Sequence, residues 1–97
     1  MKKETAEHVA DVLRAIGNPV RLQVIELLRD REVCVGDIVE ALGEKQAVIS
    51  HQLNLMKDKG VLASRRDGAK VYYRVENANV IDVLDCVQRH CKTGKGG

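Results

Sequence analysis

Residues 33–75 read VCVGDIVEALG, EKQAVISHQLNLMKDKG, VLASRRDGAKVYYRV, and the punctuation of this stretch decides the fold. Cys34 or Val35 opens a short helix in which Ile38, Val39, Ala41 and Leu42 recur at helical spacing, and Gly43 closes it. Glu44 and Lys45 make a turn. A second helix follows from Gln46 to Lys59, with apolar Val48, Ile49, Leu53, Leu55 and Met56 leaning to one side. Polar Gln46, Ser50, His51, Gln52 and Asn54 fill much of the rest, and Gly60 stops the helix. Two runs rich in β-formers, 61–64 and 71–75, flank Arg65-Arg66-Asp67-Gly68-Ala69-Lys70, where Asp-Gly signals a hairpin turn.

Outward from this stretch the chain is helical. Ala6, Val9, Ala10, Leu13 and Ile16 predict a first helix over 5–16 with Thr5 as its N-cap. Asn18-Pro19 starts a second, capped by Asn18 and with Pro19 at the first helical position. The last helix runs from Asn77 or Asn79 to Cys91. The expected fold is mainly α with a small β-hairpin, in the order α-α-α-α-β-β-α, a winged helix-turn-helix. One domain covers 1–97, with the helix-turn-helix over 34–59 and the wing over 61–75. Val80, Leu84, Val87 and Cys91 form an apolar stripe on the last helix, broadened by Ile81 and Val83. So broad a stripe needs a partner, in part the chain's own first helix.

Composition fits this reading. Hydrophobic residues make up 44% of the 97 and charged residues 31%, within the range of globular proteins. Aromatics are 2%, so the core is aliphatic, and modules that stack single-stranded bases on aromatic rings are disfavoured. Net charge is +2, but residues 45–74 hold seven basic and two acidic groups (+5), leaving nine basic and twelve acidic (−3) elsewhere. A basic middle between acidic flanks suits a polyanion. No run is long and apolar enough for a membrane span, and the charged N-terminus is unlike a signal peptide, so a cytoplasmic protein without membrane contact is expected. No phosphate-binding loop, Ser/His/Asp set, paired carboxylates or Cys-x-x-Cys is present, so an enzyme is not expected.

A helix fits the major groove of double-stranded DNA, where Ser, Gln, Asn and His side chains reach base edges or phosphates. Basic hairpin residues reach the flanking backbone and supply salt-dependent affinity. The expected DNA-binding residues are Lys45, Gln46, Ser50, His51, Gln52, Asn54, Lys57, Arg65, Arg66 and Lys70. A winged helix used only for protein interaction is the competing class, and the basic wing argues against it.

Three segments resemble one known family. Ala15-Ile16-Gly17-Asn18-Pro19-Val20-Arg21-Leu22 resembles the opening signature of the arsenic-repressor (ArsR/SmtB) transcription factors. Residues 45–53 are similar to that family's recognition helix, and residues 66–73 to its wing. The resemblance spans roughly residues 7–91. It implies a homodimeric repressor, joined through its first and last helices (residues 5–16 and 79–91), that leaves its operator when an inducer binds; for such a dimer an inverted-repeat operator is expected. Val9, Leu13, Val80, Leu84, Val87 and Cys91 are the expected interface.

The inducer is less legible. Residues 32–38 resemble the metalloid-binding segment of the family's arsenic and cadmium/lead sensors, where Cys-x-Cys-x-x-Cys supplies thiolates. Here Cys34 stands alone, with Gly36 and Val39 at the other two places. Some zinc sensors of the family place ligands on the last helix, where this chain has Asn79 and Thr93. Cys86 and Cys91 lie about 140° apart on that helix and do not share a face, whereas Asp82, Cys86 and His90 do. The expected sensing residues are therefore Cys34, Cys86, Cys91 and His90. Cysteines combined across a dimer would take As(III), Cd(II), Pb(II) or Zn(II). The alternative is a redox or persulfide switch at a cysteine pair, and purely structural cysteines are the third reading.

Overall fold

The computed structural model describes residues 1–90. Its elements are α1 (Lys3–Ile16), α2 (Pro19–Leu28), β1 (Val33–Cys34), α3 (Val35–Leu42), α4 (Gln46–Asp58), β2 (Leu62–Asp67), β3 (Lys70–Val75) and α5 (Asn79–His90). None of these helices is long and apolar enough to cross a membrane. The winged helix-turn-helix expected from the sequence is present, with one strand more than expected.

Local chemistry explains the boundaries. The Asn18 side-chain oxygen accepts from the backbone N–H of Val20 at 2.9 Å and of Arg21 at 3.2 Å, so α2 starts where Asn-Pro predicts. Gly43 ends α3 in the left-handed conformation, at φ 66°, which lets its N–H reach the Val39 carbonyl. Asn77 sits just ahead of α5, and its side chain accepts from the N–H of Asn79 at 3.1 Å. Thr5, expected as an N-cap, lies inside α1. That helix begins at Lys3 with no side-chain cap at all, so nothing at Thr5 interrupts it.

Three further expectations are corrected. Residues 33–34 form a short edge strand, β1, which pairs antiparallel with β3 (Val33 opposite Tyr73, Cys34 opposite Tyr72), so the sheet order is β1-β3-β2. Two residues give too little periodicity to show as a strand in sequence. The hairpin tip is also tighter than residues 65–70. Arg65, Arg66 and Asp67 are all paired (Asp67 opposite Lys70), leaving Gly68-Ala69 as a two-residue turn. Gly68 has φ 63° and no described non-glycine residue has positive φ, the signature of a type II′ turn with glycine first. Finally, Val80 does not face outward. It is 3% exposed and belongs to the core. Cys91 lies outside the described residues.

The core is built from the middle of the chain. The nine side chains removed most completely from water are Val24, Ile25, Leu28, Ile38, Ile49, Leu53, Met56, Val61 and Leu62. All come from α2, α3, α4 and the Val61–Leu62 step that leads into β2. Each such burial contributes about 1.5–3 kcal/mol, so the drive to fold is concentrated there. Ile16 of α1, Tyr73 of β3 and Val80 of α5 close the edges of this cluster. On α1 and α5 the large apolar side chains Val9, Leu13, Val83 and Val87 remain exposed.

Candidate nucleic-acid interface

Helix α4 buries Ile49, Leu53 and Met56 and exposes Gln46, Ala47, His51, Asn54, Lys57 and Asp58. The spacing of the buried three leaves one clear outward strip, and α3 and its turn hold the N-terminal end of α4. Lys45 is the N-cap residue and is exposed; its side chain makes no cap bond. Gln46, Ser50 and Asn54 follow one another at i, i+4 and i+8 along the side of α4 nearest the hairpin. They line a cleft of about 480 Å³ whose other wall carries Cys34, Asp37, Lys70 and Tyr73. The phenol of Tyr73 donates to the Asn54 side-chain oxygen Oδ1 at 3.4 Å. Burial, and after it the nearby Asp58 carboxylate, raises the Tyr73 pKa above the usual phenol value.

The ten residues expected to bind DNA do not occupy one surface. His51 points outward from the middle of α4, and Lys57 is exposed in its last turn. Arg66 and Lys70 are exposed on the hairpin. Gln52 is turned toward α2, where its side-chain oxygen accepts from Arg21 Nε. Arg65 is engaged within the chain: its Nε lies 2.9 and 3.0 Å from the two Glu32 carboxylate oxygens. Its guanidinium also sits 4.8 Å from the centre of the Tyr72 ring, the residue paired with it across the hairpin. The Arg65–Glu32 pair is partly exposed, so it is weak and open to exchange for another anion. Sequence reasoning missed Arg21, Glu32 and Tyr73, whose partners lie 19 to 33 residues away along the chain.

The sensing residues are likewise dispersed. Cys34 is buried in β1, just ahead of α3, and lines the cleft beside the hairpin. Cys86 is exposed on α5, and so is His90 at its end. Among the described residues no three His, Cys, Asp or Glu side chains converge to hold a metal ion. The donors of one described chain therefore do not fit a soft metal, which needs two or three thiolates together. What α5 does show is an ionic tie to α2. Asp85 pairs with Arg29, which also contacts Glu26 at 3.3 Å. The Arg29 guanidinium holds the Asp85 carboxyl below the usual carboxylate range.

The comparisons with known proteins agree on one architecture. Residues 18–64 match the family model described as bacterial regulatory protein, arsR family. The HTH-type transcriptional regulator NmtR of Mycobacterium tuberculosis is 32% identical over 85 residues, 88% of this chain and 71% of NmtR. Among solved structures, HlyU from Vibrio cholerae superposes with a TM-score of 0.83 at 27% identity, over 95% of this chain and all of that one. The homodimeric winged helix-turn-helix DNA-binding domain Mb0332 of Mycobacterium bovis gives a TM-score of 0.78 at 32% identity, covering 91% of this chain and 84% of that one.

Proposed function

The chain belongs to the arsR family of bacterial regulatory proteins, and from that premise we propose that it is a homodimeric repressor that binds an inverted-repeat operator through α4 and the β2–β3 hairpin. It is a helix-turn-helix transcriptional regulator and not an enzyme. The observation that carries the finer reading is the cleft in which Gln46, Ser50 and Asn54 of one helix face Lys70 of the hairpin. A helix laid in the major groove would present His51 and this row to base edges. Lys45, Lys57, Arg66 and Lys70 would meet phosphates on either side, with Arg65 joining them if it leaves Glu32. Each phosphate contact releases counterions, so affinity falls steeply with salt.

Dimerisation is proposed through α1 and α5. Val9, Leu13, Val83 and Val87 are 38%, 49%, 43% and 55% exposed, and Mb0332, of the same fold, is described as homodimeric. Leu84 is half-buried at the margin of this face; Val80 is excluded from it by its burial. A dimer of this kind would act in the cytoplasm, beside the chromosome. Anisotropy titration of operator-sized fragments tests the proposal. Preference for an inverted repeat is expected, lost in Ser50→Ala and His51→Ala while the dimer persists. Equal affinity for all DNA would end the repressor reading.

The inducer is proposed to be thiol-directed and to act at Cys86, the exposed thiol among the described residues. For As(III), Cd(II), Pb(II) or Zn(II) to be the signal, thiolates from two chains must combine, because one described chain brings no cluster together. Covalent oxidation or persulfidation of the same thiol is the second form of this reading, favoured by its exposure. Operator release is to be titrated with each ion and with a polysulfide, on wild type and each Cys→Ser variant, with intact-mass spectra. Identical responses in every variant would make the cysteines structural.

A further inference from the structure

One side chain joins three helices. Arg21 Nε donates to the Gln52 side-chain oxygen on α4, and Arg21 Nη1 donates to the Arg14 backbone oxygen in the last turn of α1, at 2.9 Å. The Arg21 backbone is itself pinned. It lies in the first turn of α2, capped by Asn18, and α2 is anchored by buried Val24, Ile25 and Leu28. The Arg14 carbonyl is one of the four at the end of α1 that lack a partner within the helix. Gly17 reaches the same oxygen only at 3.4 Å, and the C-terminal end of a helix is electronegative, so a guanidinium suits it. Arginine alone among the cations has the planar fork to satisfy two acceptors in different directions.

We propose that Arg21 is a positioning residue: its guanidinium couples the end of α1 to α4, and Gln52 serves that link instead of reading bases. This inference rests on the DNA-binding reading above. Three features support it. Gln52 is half-buried between outward His51 and buried Leu53, and its acceptor is already occupied. Leu13, next to Arg14 in sequence, is half exposed on the face proposed to meet the second chain, so the link joins the dimer surface to the reading helix. The other polar tie from α1, Asp11 to Lys59 just past the end of α4 at 3.1 Å, is an exposed pair and holds little. Ala15 and Ile16 pack α1 onto the same core as α4, and Arg21 is the best-anchored polar part of that connection.

The rival role for a cation here is a phosphate contact, and salt dependence separates the two. Operator affinity of wild type, Arg21→Ala, Arg21→Lys, Gln52→Ala and the double Arg21→Ala/Gln52→Ala variant is to be measured across a salt series, with dimer content checked by sedimentation. Arg21→Ala is expected to weaken binding about tenfold with the salt slope unchanged, since a hydrogen-bonded charge is lost but no phosphate contact. Arg21→Lys restores only part. The double variant should bind no more weakly than Arg21→Ala alone, because both substitutions cut one link. A slope reduced by about one would overturn the proposal, as would additive losses or unchanged affinity in Arg21→Ala. Gln52→Ala leaves every core side chain in place and decides the matter if Arg21→Ala folds poorly. Amide exchange without DNA gives an independent reading. Faster exchange in the last turn of α1 and around Gln52, but not in β2–β3, is expected in Arg21→Ala. Unchanged or uniformly faster exchange counts against it. A wild-type protein without operator preference would break the functional reading and leave the exchange result to judge the link.

Discussion

Helices α4 and α5 have 13 and 12 residues and similar apolar content, yet the chain treats them oppositely. On α4 the side chains of Ile49, Leu53 and Met56 have no exposed surface, whereas α5 buries only Val80 and leaves Val83 and Val87 half in water. The sites differ in what stands opposite. Helix α4 is enclosed by α2, α3 and β2, so one chain completes its packing. Helix α5 rests on the core through Val80, with half-buried Ile81 and Leu84 packed beside it, and on the end of α2 through the Arg29–Asp85 pair, while Val83 and Val87 face out. A reading unit that is complete within the monomer can hold its shape in solution before it meets DNA. The face proposed for dimerisation is by nature incomplete in one chain.

The sharpest way to break this contrast is to cut each helix in turn. Leu53→Ala should destabilise the monomer by about 2–5 kcal/mol, the cost of a cavity in a closed core, seen as a lower melting temperature in circular dichroism. Val87→Asp should leave helix content and melting largely intact but raise the dimer dissociation constant roughly a hundredfold, read by sedimentation. If Val87→Asp unfolds the chain as Leu53→Ala does, α5 is a core helix and the contrast is wrong. Lys70→Ala should lower the salt slope of operator binding by about one and weaken it several-fold, without touching either helix. The smallest effect concerns the Arg29–Asp85 tie. Because the folded Asp85 carboxyl titrates below its unfolded value, its contribution is present above the ordinary carboxylate pKa of about 4 and is lost as pH falls through the folded value. Asp85→Asn should therefore show a slightly smaller stability loss than wild type in acid denaturation.

Much of the reading unit was legible in residues 33–75. Gly43, Gly60 and the β-rich runs mark the ends of the elements, and apolar spacing on α4 picks out Ile49, Leu53 and Met56. Strand β1 was not legible, because two residues carry no period and its existence depends on β3 arriving beside it. The polar residues of α4 were all read as DNA-binding, but the structure divides them. Gln46, Ser50 and Asn54 line the cleft, His51 faces out, and Gln52 turns to Arg21. Composition and spacing identify such residues as polar and surface-lying. They carry nothing about a guanidinium 31 positions earlier.

What the sequence by itself determined was the order of elements, their ends and the buried row of each central helix. Those follow from backbone constraints at Asn18, Pro19 and the turn glycines, and from a period that any residue can express locally. Tertiary structure alone decided which stripe on α5 is core and which is outward, sending Val80 inward while Val87 stays exposed. It also decided which basic residues are paired, by setting Glu32 against Arg65, with no such partner for Arg66 or Lys70 among the described residues. The physical reason is the same in both cases. Burial and ion pairing are properties of what lies across a gap, and the residues on the far side are distant in sequence.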